Sequence, residues 1–472
     1  MTLGIRRIIY IIFILAFLII TPLVALYATG YRINLSWPIK LDQTFLKTGM
    51  FILDSEPEGA KIILNNKYQQ KFFNKLLLKD AQYIRTPAKI KNLRPGDYDV
   101  VLELAGYWNW QKKLTIKPGE STFAEDISLF KKDLPALVIN TPACQIISSP
   151  DKKYLSVFND NKMIIVDTNT DIIYEPELNL SEPSTQCKTV VWSKKGNNLL
   201  VNLKSSRDNM IILNLNNNKF TRLDDKLSPD AYNLKWDEHE ESKIFYQETD
   251  TINYYDLDRN ISSPLLEGQS YSDYLIKGDL TFLIAQVNQS SKLKVYSLMQ
   301  KTIIKEIELP FSPDYKFINQ EHMLVNLYDQ EYKILYLIDP LSPLNPLVEI
   351  VNNINHALWV NNEKLLYYND YEIWISEYDN TFFGIPNIKK TLLTRISKPI
   401  NSALWHPSNN YIVYATDTAI NIIELDKREK RNIIKIIKLD KISSLFLSAK
   451  GNILYFYAKI GNQEGLYKLA IQ

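Results

Sequence analysis

Glycine, cysteine and net charge are all scarce in this chain of 472 residues, which contains 14 glycines and 2 cysteines. The 55 basic and 53 acidic residues nearly cancel and leave a formal charge of +2, so the sequence has no basic footprint for nucleic acid. We therefore predict no nucleic-acid partner. Asparagine pairs such as Asn197-Asn198 and Asn409-Asn410 take the place of glycine in turns, because asparagine tolerates left-handed backbone better than most residues.

The two cysteines, Cys144 and Cys187, are too few to hold a metal cluster, and neither belongs to a Cys-x-x-Cys motif. They lie in adjacent repeat units of the sequence, so a disulfide between them is one interpretation if this part of the chain is extracellular. The other interpretation is two separately buried thiols.

Several motifs that signal enzymes or ion sites are also missing. The chain has no Gly-x-Ser-x-Gly, no glycine-rich phosphate loop, no His-Glu-x-x-His and no EF-hand loop. None of the four histidines lies within metal or triad spacing of another, and the position of His406 in a turn before Pro407 favours a solvated ring. We therefore predict a non-enzymatic protein with no catalytic residue, metal, cofactor or small-molecule substrate. Catalysis by residues gathered from several repeats is the alternative.

A long apolar run near the N-terminus predicts a membrane helix. Residues 8–28 contain no charge, and Ile8 to Leu26 is almost wholly apolar, which is about the length that crosses a bilayer. Arg6 and Arg7 precede the run and favour a cytoplasmic head at 1–7, with the rest of the chain outside the cell membrane. The alternative is a signal peptide cleaved near Ala25 to Ala28. Residues 29–48 are polar, and we interpret them as a spacer between the membrane helix and the next domain.

Residues 49–130 predict a small β-sandwich, because their short apolar runs alternate and are bounded by proline and glycine. The turns between these runs carry a series of recurring motifs. They are Pro57-Glu58-Gly59-Ala60, Thr86-Pro87, Pro95-Gly96-Asp97-Tyr98, Ala105-Gly106-Tyr107 and Lys117-Pro118-Gly119-Glu120.

In this order the motifs resemble those of a PEGA domain. The resemblance covers about eighty residues and implies an extracytoplasmic module of the cell envelope. The residues that carry it are turn formers, so we predict structural roles for Pro57, Gly59, Ala60, Pro87, Pro95, Gly96 and Gly106. The connection at 68–85 is longer than the family normally has.

Four aromatic residues of the sandwich are candidate binding residues. Phe72 and Phe73 lie in the 68–85 insertion, which is interpreted either as a short helix covering a sheet edge or as a partner-binding flap. Trp108 and Trp110 occupy alternate positions of one strand, so their rings share one face. That face either packs in the core or, if exposed, stacks on a glycan or docks on the C-terminal domain.

After a linker at 131–141, residues 142–472 repeat a unit of short strands. An aromatic residue closes the first strand of most units, and the spacing of about 38 to 46 residues is that of a four-stranded propeller blade. The unit count predicts eight blades, or seven if residues 139–157 only close the ring. The recurring tryptophans, predicted to pack between blades, are Trp192, Trp236, Trp359 and Trp405.

Two turns of this region, at 148–155 and 405–411, resemble the Trp-Ser-Pro-Asp-Gly-Lys-Tyr turn of TolB-like propellers. The resemblance extends over the C-terminal region, but most repeats have lost the Pro-Asp-Gly of this turn. It therefore implies a fold rather than a function. The whole chain is thus predicted to be all-β after its anchor. We expect a scaffold that binds a protein or glycan of the cell envelope; the alternatives are a propeller enzyme acting on polysaccharide or peptide, and an accessory subunit of an envelope complex.

Overall fold

A computed structural model describes residues 3–33, 45–70, 83–159, 162–176, 189–202, 210–287, 289–318, 322–343, 345–379 and 387–472. Its first element is helix α1 (Leu3–Ala28), which contains Pro22 and is long and apolar enough to span a membrane. Strands β1 (Tyr31–Ile33) and β2 (Phe45–Lys47) then pair in antiparallel fashion within the predicted spacer. The amide of Thr48 donates to the carbonyl of Gly30 at 2.7 Å, so the end of the helix lies beside the start of the next domain.

The next domain is a small sandwich of two sheets, which confirms the predicted architecture. One sheet has the strand order β6-β3-β9 and the other β5-β4-β7-β8. Phe51, Ile62, Leu102 and Leu114 are among the buried residues that fill the space between them. The strands are β3 (Gly49–Glu56), β4 (Lys61–Leu64), β5 (Lys67–Tyr68), β6 (Ala88–Leu93), β7 (Gly96–Glu103), β8 (Trp110–Ile116) and β9 (Ser121–Ser128).

Eight four-stranded antiparallel sheets follow within the described residues, and they form a β-propeller. Seven of them, numbered here sheets 1 to 7, use four consecutive strands each. These strands are β11 (Gln145–Ser148), β12 (Tyr154–Phe158), β13 (Met163–Asp167) and β14 (Ile173–Tyr174) in sheet 1; β15 (Thr189–Trp192), β16 (Asn198–Asn202), β17 (Met210–Asn214) and β18 (Lys219–Arg222) in sheet 2; β19 (Tyr232–Trp236), β20 (Lys243–Gln247), β21 (Thr251–Asp256) and β22 (Ile261–Glu267) in sheet 3; β23 (Asp273–Lys277), β24 (Leu280–Val287), β25 (Ser290–Ser297) and β26 (Thr302–Leu309) in sheet 4; β27 (Tyr315–Ile318), β28 (Val325–Asp329), β29 (Ile334–Ile338) and β30 (Leu347–Val351) in sheet 5; β31 (His356–Asn361), β32 (Lys364–Tyr368), β33 (Glu372–Asp379) and β34 (Asn387–Arg395) in sheet 6; and β35 (Ile400–Trp405), β36 (Tyr411–Thr416), β37 (Ala419–Glu424) and β38 (Ile433–Lys438) in sheet 7.

Sheet 8 closes the ring by combining both ends of the region. Its strands are β39 (Asp440–Leu447), β40 (Ile453–Ile460) and β41 (Gln463–Ala470), with β10 (Ala136–Ile139) paired to β41 as the outer strand. Residues 136–139 therefore belong to the propeller and not to the predicted linker. The prediction missed this strand because four residues between two prolines give little periodic signal. Gly465 permits this pairing, since a Cβ at that position would lie 2.0 Å from the carbonyl oxygen of Ile139.

The sheets are held together by apolar clusters, each of which spans two neighbouring sheets. These clusters connect sheet 1 to sheet 2 and so on around to sheet 8, which returns to sheet 1 through Ile139, Tyr455 and Val166. Trp192, Trp236 and Trp405 are buried in three such clusters, and Trp359 packs partly buried against a fourth. Each tryptophan lies in the first strand of its sheet, and its cluster includes residues of the preceding sheet, so the four side chains pack between neighbouring sheets.

The first strands of several neighbouring sheets contact each other and line the centre of the ring. Between sheets 3, 4 and 5 they are joined by buried Asp273, whose carboxylate accepts from Lys235 Nζ at 2.6 Å, from Asn233 at 2.9 Å and from the amide of Phe317 at 2.8 Å. Burial lowers the pKa of Lys235, although the adjacent Asp273 carboxylate opposes the shift. Because every oxygen of Asp273 is used, this polar cluster fixes the register of three sheets rather than offering a free site.

Candidate functional site: the junction between sandwich and propeller

Trp110 and Trp108 both lie where the sandwich meets the propeller. Trp110 is buried in the sandwich core and its indole Nε1 donates to Glu424 Oε1, at the end of β37, at 2.9 Å. Trp108 is half-buried, packs against the cluster between sheets 7 and 8, and has Lys132 Nζ 5.0 Å from its ring centroid. Of the interpretations that the sequence left open for this pair, the structure therefore combines core packing with docking on the propeller.

A buried lysine forms the polar centre of the junction. Strand β8 alternates between buried and exposed positions, and Lys112 occupies a buried position between Trp110 and Leu114. Its Nζ lies 2.8 Å from Glu424 Oε2 and 3.1 Å from Asp426 Oδ2, and it donates to the Asp426 carbonyl at 2.9 Å. The Lys112 side chain is wholly buried, so its charge depends on these partners from the propeller.

The turn that supplies Asp426 is fixed to the sandwich at two further points. Arg428 pairs with Asp426 at 2.7 Å and donates to the carbonyl of Phe123 at 2.6 Å, while the Lys113 amide donates to Glu429 at 3.2 Å. Burial acts to raise the pKa of Asp426, but hydrogen bonds from Arg428 and Lys112 outweigh it and lower the pKa to about 2. The carboxylate therefore stays ionised over the whole physiological pH range.

Phe130 supplies the apolar centre of the junction. It lies just after β9, is fully buried, and belongs to the cluster between sheets 7 and 8. Its ring meets Tyr411 edge to face at 5.0 Å and His406 at 5.8 Å between centroids. Backbone bonds flank it, since the Ser128 amide donates to the Tyr411 hydroxyl at 3.1 Å and the Lys131 amide to the carbonyl of Ile471 at 2.9 Å.

His406 is buried at this junction, which contradicts the expected solvated ring. Its Nδ1 accepts from the Ser408 amide at 3.2 Å, and its Nε2 lies 3.2 Å from the carbonyl of Gly451, to which it donates as the Nε2–H tautomer. Desolvation lowers the pKa of His406, and the same cause lowers the pKa of His322, whose ring stacks on Trp359 at 3.4 Å. The ring of His406 is enclosed by Phe130 from the sandwich side and by Gly451 of the sheet 8 turn.

Acidification is expected to destabilise the region from Gly49 onward through these two histidines. Below the ordinary histidine pKa of about 6.5 the unfolded chain binds protons that the folded chain does not, so the free energy of unfolding falls as the pH decreases. For each pH unit by which the pKa of a histidine is lower in the folded than in the unfolded chain, the protein loses about 1.4 kcal/mol of stability. The loss is complete once the pH lies below the folded-state pKa. Urea denaturation between about pH 7.5 and 5 measures it. His406→Gln should make the free energy of unfolding depend less steeply on pH, whereas replacement of the exposed His239 by Gln should not. A urea midpoint that does not change with pH would contradict the expectation.

An open cleft of about 660 Å³ lies beside the junction. The sandwich contributes Glu56, Asp126 and Ser128 to its walls, and the propeller contributes residues 406–410, Lys450 and Gln472. Among the described residues, no group of three or more histidine, cysteine, aspartate or glutamate side chains is arranged to hold a metal ion.

The other residues singled out in the sequence fall into three groups. Gly59, Gly96 and Gly106 adopt φ values of +92°, +141° and +82°, and Pro57, Ala60, Pro87 and Pro95 lie with them at or beside the turns of the sandwich. Phe72, Phe73 and Cys187 lie outside the described residues. Cys144 is exposed at the start of sheet 1. Its pairing with Cys187 thus stays a prediction.

The comparison with protein families agrees with the sandwich domain. The model of the PEGA domain matches residues 78–128, a range that begins after Pro57, Gly59 and Ala60. A search of curated proteins found no match. The chain contains a PEGA domain and a β-propeller.

Solved propeller structures resemble this chain at low identity. A crystal structure of a eukaryotic initiation factor is 13% identical, with a TM-score of 0.49, and the match covers 70% of this chain and 90% of that one. The Dos1 propeller is 12% identical, with a TM-score of 0.47 and coverages of 73% and 96%. The Cps50 (Swd1) propeller domain of Myceliophteria thermophila is 11% identical, with a TM-score of 0.38 and coverages of 71% and 100%. With TM-scores below 0.5, none of these likenesses bears on the function of this chain.

Proposed function

We propose that this chain is a non-enzymatic, membrane-anchored scaffold of the cell envelope, which holds a protein or glycan of the cell surface on its propeller. In this proposal α1 spans the membrane with its N-terminus in the cytoplasm, and both folded domains lie outside. The PEGA sandwich connects the anchor to the propeller and holds the propeller in one orientation.

The observation that carries the proposal is the junction. Its buried ion pairs from Lys112 and the inserted ring of Phe130 join the sandwich and the propeller at several points, so the two domains support one orientation of the ring. Strand β3 runs from the anchored end at Gly49 to the junction at Glu56, a length of about 26 Å. A stiff spacer of this kind suits a domain that must be presented to a partner at a fixed height.

The face of the propeller opposite the sandwich has the composition of a binding surface. In a four-stranded sheet the connections between strands 1 and 2 and between strands 3 and 4 lie at one edge, and the sandwich contacts this edge of sheet 7 through residues 406–410 and 424–431. At the other edge of sheets 3 to 6 lies a series of exposed aromatic side chains, here called the aromatic face. Its members are Tyr232, Phe311, Tyr332 and Tyr371. Aromatic residues are enriched in protein interfaces.

Photo-crosslinking in intact cells tests the proposal. A photoreactive amino acid in place of Tyr371 or Phe311 is expected to give an adduct of constant mass with an envelope component. Met299 is more exposed than either residue but lies at the opposite edge, in the turn between β25 and β26, and the same replacement there should give no such adduct. Protease added outside wall-stripped cells should degrade the adduct. Absence of an adduct from the aromatic face, or an adduct protected inside intact cells, would contradict the proposal.

A further inference from the structure

The strongest local positive charge of the chain lies in the segment 427–441. It contains seven basic residues against two acidic ones, Glu429 and Asp440, so its formal charge is +5 although that of the whole chain is +2. The basic residues are Lys427, Arg428, Lys430, Arg431, Lys435, Lys438 and Lys441. A positive surplus of this size in one turn and one outer strand favours binding of an anionic partner at this part of the surface.

The first four of these cations form the turn between β37 and β38, here called the basic turn (427–431). Within the described part of the chain, Arg428 has an ion pair, with Asp426, but Lys427, Lys430 and Arg431 have none. The Nε of Arg431 is buried without a hydrogen-bond partner. A buried guanidinium nitrogen without an acceptor is costly, so the cationic charge of this turn is poorly compensated by the protein itself.

The basic turn reaches along the sandwich towards the anchored end of the molecule. Arg428 donates to the carbonyl of Phe123, and Phe123 pairs with Ile52 in the parallel ladder of β9 and β3. Ile52 is three residues from Gly49, which corresponds to about 10 Å along the strand. Thr48, just before Gly49, is bonded to Gly30 next to the end of α1. The point where Arg428 contacts the sandwich thus lies about one Debye length from the level at which the helix ends.

We propose that the basic turn binds anionic lipid headgroups of the membrane that holds α1. The proposal rests on the proposed function, since it requires the helix to be a membrane anchor. The lipid surface is the occupant favoured by position, because the anchor keeps it next to the turn at all times. Phe123, which is 51% exposed beside the turn, adds an aromatic side chain of the kind found at membrane interfaces.

Such binding would give the protein a second attachment to the membrane. A single helix followed by a short hairpin leaves the sandwich free to tilt, whereas a helix and a basic turn define an orientation. The turn belongs to the propeller and is joined to the sandwich through Asp426 and Glu429. Lipid binding at the turn would therefore fix the orientation of both domains relative to the membrane. Anionic lipid would then set the angle at which the aromatic face is presented.

Lysine acetylation of the full-length chain in lipid nanodiscs tests this. The wild-type protein is placed in discs of phosphatidylcholine alone or of an equal mixture with phosphatidylglycerol, and acetylation rates are read by mass spectrometry. We expect Lys427 and Lys430 to react about fivefold more slowly in the anionic discs, the preference that an anionic surface confers on each nearby basic residue. High salt should abolish the protection. Exposed Lys333, in a turn at the opposite edge of sheet 5, should react equally in both discs.

Two further measurements separate the possible outcomes. Equal rates for Lys427 and Lys430 in the two kinds of disc would overturn the proposal, as would equal protection of Lys301, which lies in the corresponding turn of sheet 4. Protection by soluble polyphosphate in neutral discs, without protection by phosphatidylglycerol, would assign the turn to a free polyanion and also overturn it. A chain that fails to insert into either disc refutes the anchor itself, and with it the proposed function, whereas an inserted but unprotected chain refutes only the lipid contact.

Discussion

Lys112→Ala is expected to destabilise the region from Gly49 onward by about 3–5 kcal/mol, because it leaves Glu424 buried without its cation. Glu424 would keep hydrogen bonds from Trp110 and Asn432, but neither donor carries a charge. The loss should appear as a lower urea midpoint in chemical denaturation. We also expect the sandwich and the propeller to unfold in separate transitions, since the ion pairs that join them are gone.

The neighbouring residue Lys113 provides the matched control. It lies on the same strand with its side chain exposed, so Lys113→Ala should change the free energy of unfolding by no more than about 0.5 kcal/mol. The double variant Lys112→Met with Glu424→Gln removes both charges and should recover much of the stability, because a buried pair can often be replaced at little cost. Equal midpoints for Lys112→Ala and Lys113→Ala would show that the buried pair does not hold the junction.

Phe130→Ala is expected to destabilise the same region by about 3–5 kcal/mol, the usual result of removing a fully buried aromatic ring. The cavity would open between His406 and Tyr411, so docking should weaken more than the core of either domain. Limited proteolysis in the segment that follows Phe130 measures docking, and chemical denaturation measures stability. Cleavage should become faster in the variant.

Leu134, in the same connecting segment, is 83% exposed, and Leu134→Ala should leave both measurements unchanged. Phe130→Leu keeps most of the apolar volume and should fall between wild type and alanine. If cleavage is as slow in Phe130→Ala as in wild type, the ring contributes to the propeller core but not to docking.

Much of the fold was predictable, because it is encoded locally. The uncharged run at 8–28 and the proline- and glycine-bounded strands of the sandwich each carry their own signal. The propeller is visible in the regular return of an aromatic residue at the end of a first strand, as at Trp192 and Trp236. Such residues recur because each must fill the same space against the preceding sheet.

The junction was not predictable in the same way, because its partners are separated by about 300 residues of sequence. Lys112 did carry a signal, since it occupies the apolar side of an alternating strand between Trp110 and Leu114, and a lysine there needs a buried partner. Nothing in the sequence identifies Glu424 as that partner. His406 was misjudged for another reason, because the same turn position is buried in other sheets too, as at Ser149, Ser193 and Ser448.

The strands on which the sandwich docks, β36, β37 and β41, all come after residue 410. A chain exported from its N-terminus would finish the sandwich early, while β10 waited for β41 and Phe130 waited for Tyr411. Under the proposed export, the propeller and its contact with the sandwich would be completed together, once β41 emerges. A truncated product without β41 would expose a strand edge and an apolar ring at once, two features that promote aggregation.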